Sequence, residues 1–168
     1  MKQMKSLFIA VALMLGVSQF ANAQKVAHIN VQELIENHPE MAKANKMLEE
    51  MAERYDKDYR ESVNEYQTKL QKYISEEESV SEAVNRDRGE ELQNMQKSIQ
   101  EFAANAQKTL SEKELELKKP IGEKVTATIQ KVGRAKGYEY VLDSSLGSGV
   151  ILSEGPDLIN DVKKELGI

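Results

Sequence analysis

Two long runs of apolar residues at helical spacing dominate this chain and limit what it can fold into. They span residues 39–78 and about 82–136, and within each run the apolar positions recur mostly every three or four residues. That spacing places the apolar side chains on one narrow face of a helix, as in coiled coils. The sequence therefore predicts a mainly helical protein built on a long antiparallel hairpin over residues 39–136, with its turn at Ser79–Ser81.

The turn is predicted from a capping pattern. Ser79 is followed three residues later by Glu82, which is the spacing of a capping box at a helix N-terminus. Folding the chain at Val80 places Tyr59 opposite Phe102. At about 1.5 Å per residue the arm is roughly 60 Å long.

A proline interrupts the second helix of the predicted hairpin. Pro120 removes one backbone hydrogen bond and crowds the preceding turn, so it should kink the helix. The first helix begins opposite Pro120 and Gly122. These two residues are therefore predicted to form a hinge, where the paired arm ends and the second helix continues alone.

Short strands flank the hairpin and predict a small β body. The body comprises residues 24–38 and 137–168, with the end of the second long helix at about 124–136. Asp157 is expected to cap a last helix. Three strands of about five residues make a sheet that is marginal alone. The predicted strands are residues 25–31, 138–143 and 149–152.

The long hairpin and the short strands together favour an oligomer. A two-helix hairpin buries only one seam, and a small sheet leaves two open edges. We expect the strands of several chains to close a small barrel or sheet from which the arms project. The alternative is that the strands and the last helix pack only on their own long helix. The residues expected at contacts between copies are Val26, Ile29, Val31, Tyr138, Tyr140, Leu142, Val150 and Leu152.

The first 23 residues are typical of a secretory signal peptide. Lys2 and Lys5 precede an apolar run of 11 residues, and the segment ends in Ala-x-Ala at Ala23. The run is too short for a spanning helix, which needs about 20 apolar residues. Cleavage is expected after Ala23, and the bacterial periplasm is the expected compartment.

Composition excludes several kinds of site. The chain has no cysteine, which rules out disulfides and thiolate metal sites. Its carboxylates lie beside lysines on solvated helix faces, and its two histidines, His28 and His38, have no cysteine partner. Ser144 and Ser145 lack the G-x-S-x-G frame of a nucleophile elbow. We therefore expect no enzyme, no cofactor, no metal and no nucleic-acid partner.

The two ends of the chain carry a family resemblance. The first reads KVAHINVQELIENHPE and the second reads GYEYVLDSSLGSGVILSEGPDLINDVKKEL. With the hairpin between them, this order of parts resembles the Skp/OmpH family of periplasmic chaperones. The most specific part is Gly137 followed by Tyr138 to Asp143, a further strand and a final helix.

The resemblance implies a jellyfish-like homotrimer. A β body formed by the termini would hold three α-hairpin arms around a cavity. The cavity would take unfolded outer-membrane β-barrel proteins without ATP and prevent their aggregation. The rival hypothesis, from another class, is a structural coiled-coil tether or adaptor of the cell envelope.

Charge sets this chain apart from the family's familiar members, which are strongly basic. The full chain carries a net charge of −5, and removal of Lys2 and Lys5 with the signal peptide takes it to −7. Residues 76–91, the predicted tip, hold seven acidic residues against two arginines. An acidic tip disfavours anionic lipid, so contact with lipopolysaccharide or a membrane surface is doubtful.

Tyrosines and methionines supply the candidate client-binding residues. Tyr is amphipathic and Met adapts to varied partners, which suits many weak contacts with unfolded chains. The same tyrosines could instead be the seam of the hairpin, and the sequence leaves both interpretations open. The candidates are Met51, Tyr55, Tyr59, Tyr66, Tyr73, Met95 and Phe102.

Overall fold

The computed structural model describes residues 25–168. The predicted signal peptide and its cleavage site after Ala23 lie outside the described residues. The predicted mainly helical architecture with a small sheet is confirmed. In chain order the elements are β1 (Val26–Ile29), α1 (Val31–Glu36), α2 (Pro39–Ser75), a 3₁₀ turn (Glu77–Ser79), α3 (Glu82–Ala135), β2 (Tyr140–Asp143) and α4 (Ile159–Leu166).

These elements form two compact units. The hairpin unit is Leu34–Val125, and the body is residues 25–33 together with 126–168. Helices α1 and α3 each run from one unit into the other. Over the described chain, no helix combines the length and the apolar character needed to cross a membrane.

Helix α2 begins at a proline behind a histidine cap. His38 is extended at φ −71° and ψ 126°, and its Nδ1 accepts a hydrogen bond of 3.2 Å from the backbone N–H of Glu40. Pro39 then occupies the first helical position, where its missing N–H costs nothing. His38 is 2% exposed, so this cap is buried.

The hairpin turn differs from the predicted capping box. The Oγ of Ser79 donates to the carbonyl of Glu76 within the 3₁₀ turn. The cap of α3 is Ser81, whose Oγ accepts from the N–H of Val84 at 3.4 Å. The Ser79 prediction is wrong because residues 77–79 form the 3₁₀ turn, which leaves Ser81 as the residue preceding the helix.

Contacts within the hairpin unit show that α2 and α3 are antiparallel. Near the start of α2, Lys124 pairs with Glu40 at 3.1 Å, and near its end Lys69 pairs with Glu91 at 2.7 Å. The ring of Phe102 packs edge-on against Tyr55, with the centroids 6.0 Å apart. Phe102 thus contacts a residue one helical turn from Tyr59, its predicted partner.

The hairpin is tightly packed only near the start of α2. Met41, Ala44 and Ile121 form a buried cluster, and Ile35 and Leu117 pack against it. Buried apolar area of this kind contributes about 25 cal/mol per Å² to folding. Helix α3 continues through Pro120 without a break. The hinge at Pro120 and Gly122 stays a prediction.

The body contains a two-stranded parallel sheet. Val26 pairs with Tyr140 and Ile29 with Asp143, so β1 and β2 lie in register over four residues. The predicted third strand, Gly149–Leu152, is wrong: the described structure has no strand there. Instead the segment just before α4 bonds to β1, since the N–H of His28 donates to Pro156 and its carbonyl accepts from Leu158.

Two glycines explain why the chain leaves the sheet after β2. Gly147 and Gly149 have φ values of 86° and 92°, which side chains other than glycine rarely adopt. They turn the segment away from the sheet, and Ile151 beyond them is fully exposed. The β-branched run that resembled a strand therefore has no strand partner within the described chain.

Helix α1 is capped by the adjacent Asn30 and by two side chains that are distant in sequence. Its first N–H, on Val31, donates to Oδ1 of Asp143 at 3.3 Å, and the N–H of Gln32 donates to Oγ of Ser145 at 3.1 Å. The N–H of Glu33 donates to Oδ1 of Asn30 at 3.0 Å. Three of the four free N–H groups at this helix end are thus satisfied.

Asp143 is the central acceptor of that cap. Burial acts to raise the pKa of its carboxyl, but hydrogen bonds from the hydroxyl and N–H of Ser145 and from Val31 outweigh it and lower the pKa. The ionised form is therefore favoured in the folded chain. Asp143 joins the end of β2 to the start of α1.

Candidate functional site

The seam of the hairpin is incompletely covered along most of its length. No side chain from Asn45 to Pro120, a stretch described throughout, is fully buried. The apolar residues of the seam are instead half-buried, and some others are more open: Met47 is 46% exposed and Leu115 is 66% exposed. The hairpin therefore presents apolar surface over many turns.

One groove near the turn concentrates this surface. It has a volume of about 750 Å³ and lies between the second half of α2 and the first half of α3. Its apolar side chains are Met95, Ile99 and Phe102, all half-buried. The other lining residues are Ser62, Glu65, Lys69, Asp87, Glu90, Glu91, Asn94 and Ser98.

The charged side chains of this groove are mostly acidic. Four carboxylates face one ammonium, a net charge of −3. Lys69 lies 2.7 Å from Oε1 of Glu91 and 3.2 Å from Oε1 of Glu65. These two bonds, Glu91 first, raise the pKa of Lys69, and the bond from Lys69 is the main cause of the lowered pKa of Glu91. Lys69 and Glu91 are therefore both charged at neutral pH.

Tyr73 supports the wall of the groove. Its hydroxyl donates to Oε2 of Glu91 at 2.5 Å, and the guanidinium carbon of Arg88 lies 4.5 Å from its ring centroid. Arg88 in turn pairs with Glu76. The bond to Glu91, more than burial, raises the pKa of the Tyr73 hydroxyl. The hydroxyl and the ring of Tyr73 thus both contact side chains of α3.

The predicted client-binding residues do not form one cluster. Met95 and Phe102 line the groove, whereas Met51, Tyr55 and Tyr66 are half-buried along the seam. Their role in binding stays a prediction. Tyr59 is the most open of the predicted set at 39% exposed.

Sequence reasoning missed the polar residues of the groove. Lys69 carries no distinguishing signal in the sequence, and Glu91 counts there only toward the acidic charge of the tip. Folding the chain at Val80 places Tyr73 near Asp87, close to its partners Arg88 and Glu91. The register of α2 against α3 was therefore the sequence signal from which these polar residues could have been identified.

The body has an exposed apolar face of its own. Val26, Tyr140 and Leu142 share one face of the sheet and are 37%, 52% and 44% exposed. The loop beyond β2 adds residues that are far more open: Leu146, Ile151 and Leu152.

The residues predicted to join copies therefore differ in accessibility. Ile29 is 1% exposed and packs inside its own chain, because alternate strand residues point to opposite faces. Its predicted role at contacts between copies stays a prediction. Val31, Tyr138 and Val150 are half-buried, and the others remain exposed.

The described residues contain no cluster of side chains that could form a metal centre. No group of three or more His, Asp or Glu side chains in residues 25–168 is arranged to hold an ion. His28 is used structurally: its Nε2 lies 2.9 Å from the carbonyl of Gly155 and its Nδ1 lies 3.3 Å from Oγ of Ser144.

Comparisons with known proteins give one family and one fold. The model of the family described as outer membrane protein (OmpH-like) matches residues 25–166. A crystal structure from Caulobacter crescentus CB15, of a protein described as an OmpH-like outer membrane chaperone, matches with a TM-score of 0.75 and 13% identity. The match covers 84% of this chain and 83% of that one, and it shows a shared fold. A comparison with curated proteins found no match.

Proposed function

Because this chain belongs to the OmpH-like family of outer membrane proteins, we propose that it is a periplasmic holdase chaperone. Its clients are unfolded outer-membrane β-barrel proteins, which it shields from aggregation after export. Binding and release need no ATP. The observation that carries the proposal is the half-covered apolar seam that extends along the hairpin from Asn45 to Pro120.

Such a seam suits an unfolded client for a physical reason. An unfolded chain offers no fixed shape, so a tight pocket would select one segment and release the rest. Shallow apolar contacts spread over many helical turns each contribute little, and their sum holds varied sequences. Methionines such as Met47, Met51 and Met95 add adaptable contacts.

We also propose that the working molecule is a homotrimer. The exposed sheet face of Val26, Tyr140 and Leu142, with the open loop around Ile151, is apolar surface of the kind that marks protein contacts. Within the described chain β2 pairs only with β1, so the outer edge of β2 is open. So small a sheet is marginal alone, and strands from other copies would stabilise it. Three hairpins would then enclose the client between them.

Two measurements test the proposal on residues 24–168. Light scattering should give a mass near three times that of one chain. The protein should suppress the aggregation of an outer-membrane β-barrel protein diluted from urea, at about one trimer per client. A structural tether would instead capture one folded partner and leave the diluted barrel to aggregate, and that result would overturn the proposal.

A further inference from the structure

We propose that the groove between α2 and α3 near the hairpin turn binds extended client segments in which a lysine or arginine lies beside an apolar residue. The inference rests on the proposed holdase function and names the class of segment that this site takes. It concerns the groove lined by Met95, Ile99 and Phe102 and by the carboxylates around them.

The apolar floor sets the size of the segment. Met95, Ile99 and Phe102 are spaced four and three residues apart on α3, so they form one strip about 10 Å long. An extended chain advances about 3.3 Å per residue, so the strip accommodates about three residues. Side chains on one side of that segment would enter the groove, and the alternate ones would point outward.

The carboxylates of the groove determine which charge a bound client segment should carry. Glu65 and Glu91 already share Lys69, which holds them in place as walls. Asp87 and Glu90 are exposed, and neither forms an ion pair within residues 25–168. Their charges are therefore available to a cation on the ligand.

An anionic segment is disfavoured at the same place. It would meet a net charge of −3 at distances shorter than the screening length of about 8 Å at physiological salt. A second groove farther along the seam carries a smaller charge, with Glu49 and Glu114 against Lys118. The groove near the turn thus makes the hairpin prefer client segments in which a basic residue lies beside an apolar one. This preference adds to the general affinity of the seam for apolar segments.

The test compares two fluorescent peptides on the protein spanning residues 24–168. Both are twelve residues long with the same Phe and Leu among Gly and Ser, and one carries three Lys where the other carries three Glu. Anisotropy titrations at low salt should show the Lys peptide binding about tenfold more tightly, and the difference should shrink in high salt. Equal affinities would overturn the proposal.

Paired variants separate the groove from the charge of the whole tip. Asp87→Asn with Glu90→Gln should remove most of the preference for the Lys peptide. Glu78→Gln with Glu82→Gln makes the same change in net charge on the same tip at exposed residues outside the groove, so it should leave the preference largely intact. An equal loss in both pairs would show a diffuse field and would overturn the site.

A floor variant tests the apolar half of the site. Ile99→Ser should weaken both peptides several-fold while circular dichroism shows unchanged helix content. Unchanged peptide affinity in a folded Ile99→Ser protein would overturn the assignment. Aggregation suppression is measured on the same samples: a protein that suppresses aggregation but shows no peptide preference refutes this inference alone, whereas one that fails to suppress aggregation refutes the holdase function.

Discussion

The hydroxyl of Tyr73 on α2 donates to Oε2 of Glu91 on α3 at 2.5 Å, and this bond ties the two helices together near their turn. Glu91 also accepts from Lys69, so one carboxylate fixes two residues of the opposite helix. The same carboxylate lines the acidic groove. The shape of the groove wall therefore depends on a hydrogen bond from the Tyr73 hydroxyl, and the role of Tyr73 in client binding stays a prediction.

Tyr73→Phe should raise the pKa of Glu91 toward its ordinary value. The substitution keeps the ring under Arg88 but removes a hydrogen bond that favours the ionised carboxylate. Carboxyl chemical shifts followed through an acid titration measure the change. Tyr59→Phe is the matched control, because Tyr59 is more exposed and is not a cause of the lowered pKa of Glu91. An unaltered Glu91 titration in Tyr73→Phe would contradict the assignment.

Acid should loosen the hairpin near its turn. Lys69 first, and Tyr73 second, lower the pKa of Glu91 from its ordinary value of 4.5. Glu91 therefore contributes stability above that value, and the contribution is lost as the pH falls through the lowered pKa. Protection factors of amides near the turn, which are exchange rates corrected for the intrinsic pH dependence, should fall over this window in the natural protein. The pH dependence should be flatter in Glu91→Gln, and identical profiles would refute the role of Glu91.

Asp143→Ala should destabilise the body by about 1–2 kcal/mol. It removes the acceptor for the N–H of Val31 at the start of α1 and for both donors of Ser145, a loss comparable to that of an N-cap. Asp143→Asn keeps one acceptor oxygen and should recover part of the loss. Denaturant unfolding followed by circular dichroism measures the difference, and equal stabilities for Asp143→Ala and the natural protein would contradict the cap.

Gly133→Ala should be destabilising although alanine favours helices. An added Cβ would lie 2.8 Å from Cγ2 of Val141, which forces the Val141 side chain or its surroundings to shift. Overpacking costs about 1–3 kcal/mol, more than the gain of about 1 kcal/mol from helix propensity. Gly89→Ala on the same helix is the control, since nothing lies within 4 Å of its added Cβ. It should raise the thermal midpoint, and a rise in both variants would disprove the close contact.

Phe102→Ser and Tyr59→Ser should affect different properties. Phe102 is half-buried against Tyr55, so its loss should lower the thermal midpoint of the hairpin as well as client binding. Tyr59 is 39% exposed, so its loss should change stability by less than about 0.5 kcal/mol while weakening aggregation suppression. Melting curves and light-scattering assays on both proteins measure the two effects. Loss of stability in Tyr59→Ser would instead place that ring in the seam.

Periodicity predicted the two long helices because it is a local property of the chain. The end of α2 was predicted at Glu78, three residues beyond Ser75, because the acidic residues after it continue the helical composition while forming a 3₁₀ turn. Such a turn has no strong composition signal. The fold of the hairpin was therefore predictable, and the details of its tip were not.

The groove and the body depend on contacts that sequence patterns do not show. Asp143 caps Val31 across 112 positions, and no periodicity links the two. The run Gly149–Leu152 has strand composition, but strand formation needs a neighbour, and the segment beside β1 is residues 155–158 instead. Predicting the acidic wall of the groove requires the register of α2 against α3. From the sequence, folding the chain at Val80 gives that register only approximately.

The parallel pairing of β1 with β2 also imposes an order on folding. The 110 residues from 30 to 139 separate Ile29 from Tyr140, so the strands cannot meet until nearly the whole chain is available. Closing a loop of that length as a flexible coil costs entropy that grows with its logarithm. Helices and their hairpin contacts are local and form fast, and zipping α2 against α3 shortens the effective loop. We therefore expect the arm to form first, and to act as the template that brings the two halves of the sheet together.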